Sequence, residues 1–105
     1  MSLLANTPKP PYYAVIFTST LKGSDDGYEE EANKMVALAE QQPGFLGIES
    51  AREEVGITVS YWSDLHSIKQ WKANVEHLEA QKKGHELWYK SFKVRVSKVE
   101  RDYGM

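Results

Sequence analysis

The segment that most limits the possible folds is Tyr12–Leu21, YYAVIFTSTL, which is apolar on both of its alternating sides at the centre. Tyr13, Val15 and Phe17 point one way, and Tyr12, Ala14 and Ile16 the other. Aromatic and β-branched residues dominate it, which is strand composition. A strand that is apolar on two faces needs a covering layer against each. The chain has 105 residues, material for one domain and one core. Its own helices can cover one face. The simplest cover for the other is a second copy of the chain.

The remaining elements follow from periodicity and punctuation. Residues 1–11 contain Pro8, Pro10 and Pro11 without any repeat, and read as a flexible N-terminal arm; residues 12–105 read as a single domain. Lys22–Gly27 is a turn in which Ser24, Asp25 or Asp26 caps the next helix. Tyr28, Ala32, Met35, Val36 and Ala39 recur at helical spacing up to the stop at Pro43-Gly44. Glu29, Glu30 and Glu31 in the first turn suit the helix dipole. Phe45–Arg52 and Ile57–Trp62 are short strands joined by a hairpin-length loop. Ser63 or Asp64 opens a second helix running to about Lys83, with Gly84 as its stop. In Leu87–Val99, Phe92, Val94 and Val96 alternate with Lys93, Arg95 and Ser97, as in a half-exposed strand. Strand, helix, strand, strand, helix, strand is the order of an α+β, ferredoxin-like split β-α-β subunit, with an antiparallel sheet and both helices on one face.

Composition removes several functions. Lys and Arg number 13 against 15 Asp and Glu, and no basic block occurs, which argues against a nucleic-acid partner. The absence of cysteine eliminates disulfides, thiolate metal sites and cysteine nucleophiles. No apolar run reaches the roughly 20 residues of a membrane span, and the N-terminus lacks a signal pattern, so a cytoplasmic protein with no membrane partner is expected. Walker-type, Gly-x-Gly-x-x-Gly, His-Glu-x-x-His and Gly-x-Ser-x-Gly motifs are missing as well.

Chemistry-bearing residues concentrate between Tyr61 and Tyr89, which hold all three tryptophans (Trp62, Trp71, Trp88) and all three histidines (His66, His77, His85). Aromatic walls with a titratable group are how small-molecule pockets are built; the competing reading is that these rings are core. His77, between Val75 and Leu78, is the best placed for a partly buried imidazole, either a general base or a structural hydrogen-bonding residue. Trp71 and His77 diverge by about 120° on an ideal helix, so they converge only if the helix breaks near Asn74. His66 and His85 read as surface residues, and Glu49, Glu53 and Glu54 as solvated strand-end charges. His77 and Gln81 share a helix face but make a poor metal site.

The stretch PGFLGIES from Pro43 to Ser50, then Tyr61-Trp62-Ser63-Asp64-Leu65, Ile68, Trp71, His77 and the ending GHELWY from Gly84 to Tyr89, resembles the antibiotic biosynthesis monooxygenase-like proteins of the dimeric α+β barrel superfamily. The likeness runs from about Tyr12 to Tyr103. It implies a homodimer whose sheets pack together, and a cavity between sheet and helices for a small aromatic or hydrophobic molecule. It also implies an oxygen-dependent reaction with no flavin, metal or other cofactor, in which His77 is the base. Trp62, Trp71 and Trp88 would form the walls, and Tyr89 would donate a hydrogen bond to the developing oxyanion.

Two departures narrow this. The haem-degrading branch has an axial histidine where this chain has Gln81, and an asparagine where it has Ile16. The polyketide-oxidising branch has an asparagine just before the tryptophan matching Trp62, where this chain reads Thr58-Val59-Ser60-Tyr61. Haem degradation is not expected, and the donor set for an anthrone-like substrate is not reproduced. Three readings follow: a cofactor-independent monooxygenase oxidising a small aromatic or polyketide-like molecule with O2, a non-catalytic dimeric module binding a small hydrophobic ligand, and a dimeric scaffold.

Overall fold

The computed structural model describes residues 3–23, 27–82 and 88–105, and the side chains of 77–82 lie outside that description. The elements are β1 (Tyr12–Leu21), α1 (Tyr28–Glu40), β2 (Phe45–Arg52), β3 (Gly56–Trp62), α2 (Leu65–Lys82) and β4 (Tyr89–Val99). They form one four-stranded sheet in the order β2-β3-β1-β4. Every pairing is antiparallel. This is the ferredoxin-like α+β fold that the order of elements predicts.

Local chemistry sets the boundaries. Gly27 caps α1 in the left-handed conformation (φ 79°), with no side-chain cap bond, and a glycine takes that conformation without steric cost. The expected caps Ser24, Asp25 and Asp26 lie outside the described residues. Gly44, at φ 82°, ends the α1 turn, and a Cβ there would collide with the side chain of Ser67. Asp64 opens α2 by accepting from the Ser67 amide at 2.7 Å, which holds its carboxyl below the ordinary carboxylate range. α2 then runs unbroken past Asn74, whose side chain donates to Gln42 at 3.1 Å, so the break that would turn Trp71 and His77 towards each other does not occur.

The sheet register defines two faces. The helix side carries Tyr13, Val15, Phe17 and Ser19 of β1, opposite Trp62, Ser60, Thr58 and Gly56 of β3. The same β1 residues stand opposite Lys98, Val96, Val94 and Phe92 of β4. α1 packs on β2 and α2 on β3, and the centre of the core is Trp62, Ala39 and Ile68. Phe92, Val94 and Val96, on the helix side of edge strand β4, are about half exposed.

The other face carries Tyr12, Ala14 and Ile16 with Tyr61, Val59 and Ile57. Part of its cover comes from the chain itself. Ala5 lies on Gly47, its amide donates to Glu49 at 2.9 Å, and the Thr7 hydroxyl donates to Tyr12 at 3.0 Å. The C-terminal Asp102 accepts from the Tyr12 hydroxyl at 2.5 Å. Tyr12 and Ala14 are buried as a result.

Candidate functional site

The residues singled out from sequence fall into two groups at opposite ends of β1. Trp62 is fully buried, and its indole Nε1 donates to Ser60 Oγ at 2.9 Å. Trp71 of α2 stacks on it with centroids 5.9 Å apart, and Phe45 meets its face edge-on at 5.5 Å. This group stands in the row of Tyr13. Tyr89 pairs with Leu21 at the other end of the strand, about 25 Å away at ~3.3 Å per residue. Trp88 sits with Tyr89: its carbonyl accepts from the Lys22 amide at 2.7 Å, and its ring meets Tyr28 edge-on at 6.0 Å. The three tryptophans therefore do not line one wall. His77 lies on α2, but its side chain is outside the described residues, as are those of Gln81 and His85. His66 is exposed.

The larger aromatic assembly is the one at the Tyr89 end. Phe17 contacts Tyr89 at 5.4 Å and Phe92 at 5.7 Å, Tyr28 contacts Tyr89 at 5.7 Å, and Tyr89 lies 6.0 Å from Phe92. The Tyr89 hydroxyl donates to that of Tyr28 at 3.3 Å, a long bond. Phe92, Val94 and Val96 extend this surface as a half-exposed apolar strip.

Arg52 enters the same assembly from across the sheet. Arg52, Gly56, Ser19 and Phe92 occupy one cross-strand row on the helix side. The guanidinium lies where a Gly56 side chain would be. It spans β3 to donate from Nη2 to the Ser19 hydroxyl on β1, and the Tyr28 ring stands 5.4 Å from its central carbon. Nη1 is enclosed and has no hydrogen-bond partner. Neither Arg52, Tyr28 nor Phe17 stands out as a site residue in the sequence. The one available signal is an arginine ending a strand directly across a hairpin from a glycine, which leaves the side chain room to cross.

On the helix-free face Glu49 corrects the expectation of a solvated charge. It is half-buried, and its Oε1 accepts from the Tyr61 hydroxyl at 2.6 Å while Oε2 holds the Ala5 amide. Burial, then the bond to Glu49 and its charge, push the Tyr61 phenol up to about 12. Tyr12 is raised chiefly by its bond to Asp102. Both phenols therefore stay neutral donors at physiological pH. Among the described residues no set of three His, Asp or Glu side chains converges as a metal site.

The fold and this helix-side surface define a small α+β subunit presenting aromatic and phenolic groups beside its sheet. The chain belongs to the antibiotic biosynthesis monooxygenase family, whose model matches residues 11–83. It is 53% identical over 103 residues to the uncharacterized protein YqjZ of Bacillus subtilis, covering 96% of this chain and 90% of that one. SnoaB of Streptomyces nogalater, a cofactor-independent oxygenase, superposes with a TM-score of 0.73 at 15% identity, covering 89% of this chain and 97% of its own. PA3566 of Pseudomonas aeruginosa superposes with a TM-score of 0.69 at 19% identity, over 91% and 99% of the two chains. At these identities the two structural likenesses are likenesses of fold.

Proposed function

We propose that the protein is a cofactor-independent oxygenase that acts, as a homodimer in the cytoplasm, on a small electron-rich aromatic or polyketide-like molecule. The observation that carries this reading is the aromatic surface of Phe17, Tyr28, Tyr89 and Phe92 on the helix side of a family-typical sheet. Such a surface suits a planar substrate, and its low polarity favours a reaction that must exclude water. SnoaB, of the same fold, is described as a cofactor-independent oxygenase. The absence of cysteine suits a reducing compartment, and among the described residues no helix is long and apolar enough to cross a membrane.

In the proposed reaction His77 takes a proton from a benzylic or phenolic position, and Tyr89 donates a hydrogen bond to the oxyanion that forms. Trp88, beside Tyr28 and Tyr89, serves as a wall, while Trp71 and Trp62, stacked at the far end of β1, stand outside this site. The carbanion gives one electron to O2, the radical pair combines to a peroxide anion, and the protonated His77 returns its proton to make the hydroperoxide. Loss of water from that peroxide turns a CH2 group into a carbonyl, so the two oxygen atoms end in product and water.

Assembly as a dimer is supported by the surface the chain exposes. Its 7814 Å² of accessible area exceeds the roughly 6,000 Å² usual for a monomer of this mass. Ile57, on the helix-free sheet face, is among the exposed large apolar residues. A second sheet laid on that face would bury it.

Oxygen uptake by the purified protein, free of flavin and metal, is the test, with anthrone and 1-hydroxyanthrone as probes. With anthrone, consumption of one O2 per carbonyl formed, abolished in His77→Ala with the dimer intact, is the expected result. A dimer that binds the probes without consuming oxygen would overturn catalysis in favour of the binding module.

A further inference from the structure

We infer that Arg52 is the anion-recognition group of a ligand site on this chain, and that the ligand is a planar aromatic molecule carrying a carboxylate. Half-buried guanidinium groups are ordinarily balanced by a carboxylate, because removing a charge from water is costly unless it is paired. Arg52 has no such balance: among the described residues its polar contacts are the Ser19 hydroxyl and the π face of Tyr28, and Nη1 has no acceptor at all. The two ion pairs among the described residues, Lys34 with Glu30 and Lys72 with Glu76, are surface pairs on the helices and do not involve it.

The group is also pre-oriented. Gly56 leaves the lane through which the side chain crosses β3, Ser19 holds Nη2, and the Tyr28 ring backs the central carbon at 5.4 Å. Holding the fork before the ligand arrives lowers the ordering cost of binding. A guanidinium fork matches a carboxylate in shape and charge. The rings beside it, Phe17, Tyr28, Tyr89 and half-exposed Phe92, suit the flat apolar body of the same molecule.

Calling this ligand a substrate rests on the oxygenase reading; its binding does not, and is measured without turnover. The probes are 2-naphthoate and 2-naphthamide, which share a ring and differ in charge, titrated calorimetrically into the full chain. The wild type is expected to bind the acid about tenfold or more tightly than the amide, in line with a charge-assisted bond in a desolvated setting. Arg52→Gln is expected to erase the difference, and Arg52→Lys to retain part of it, with far-UV circular dichroism checking the fold of each. Equal affinities for acid and amide in the wild type, or no binding of either, would overturn the assignment without recourse to any variant. So would a preference that survives in folded Arg52→Gln. A preference for the acid without oxygen uptake defeats the oxygenase reading alone, and oxygen uptake without the preference defeats the Arg52 site alone.

Discussion

The guanidinium of Arg52 occupies the space that a side chain on Gly56 would need. The two residues face each other across the β2–β3 ladder, and the absence of one side chain is what lets the other reach β1. This relationship links the short hairpin to the aromatic assembly at the start of α1.

Gly56→Ala should therefore destabilise the protein although it only adds a methyl group. The new Cβ displaces the guanidinium, breaking its bond to Ser19 and its contact with Tyr28. Overpacking of this kind costs roughly 1–3 kcal/mol. Urea denaturation should show a lower midpoint with an unchanged slope. A midpoint equal to that of the wild type would mean that Arg52 has another place to lie.

Trp62 and Trp71 stack, yet their truncations should differ. Trp62 is fully buried with its indole N–H satisfied by Ser60, whereas Trp71 is half-buried. Trp62→Ala should cost about 3–5 kcal/mol, the range for a large aromatic removed from a core, and Trp71→Ala clearly less. Paired denaturation curves decide this, and equal losses would contradict the burial difference.

Alkaline stability should carry the mark of Tyr61. Its folded pKa, about 12, lies above the ordinary 10.0, so the folded state holds the proton more tightly than the unfolded one. The resulting stabilisation is complete below pH 10 and fades as pH rises towards 12. Tyr61→Phe should flatten the fall in melting temperature over that window. In absorbance titration near 295 nm the wild type should retain one late-ionising tyrosine that the variant lacks.

The arm should be releasable by one substitution on the sheet. A Cβ at Gly47 would stand 2.8 Å from Ala5 Cβ, closer than side-chain carbons pack. Gly47→Ala should lift Ala5 away from Glu49. Limited proteolysis should then cut within residues 3–11 several times faster, and unaltered cleavage would show that the arm is held elsewhere.

The architecture could be read from the sequence because each signal was local. The two-sided apolar pattern of Tyr12–Leu21, the Pro43-Gly44 stop and the Asp64 cap each act within a few residues, and the strands and helices formed where they indicate. The gathering of aromatic residues between Tyr61 and Tyr89 was a weaker guide. Closeness along the chain does not survive a helix of 18 residues, which carries Trp71 to one end of the sheet and delivers Tyr89 to the other. Glu49 looked solvated for the converse reason. Its partners, Tyr61 and Ala5, come from another strand and from the arm, and only strand register brings them together.

The Tyr12 hydroxyl accepts from Thr7 and donates to Asp102, so one phenol ties together segments from the two ends of the chain. A loop of a few glycines and serines would bridge Thr7 to Asp102 without straining either bond. New ends could then be opened in the exposed hairpin at Glu53–Val55, giving a circular permutant with the same sheet order. By the same geometry, an affinity tag or fluorescent protein fused at either end would emerge beside the helix-free face, and a reporter meant to leave that face open belongs in the hairpin instead.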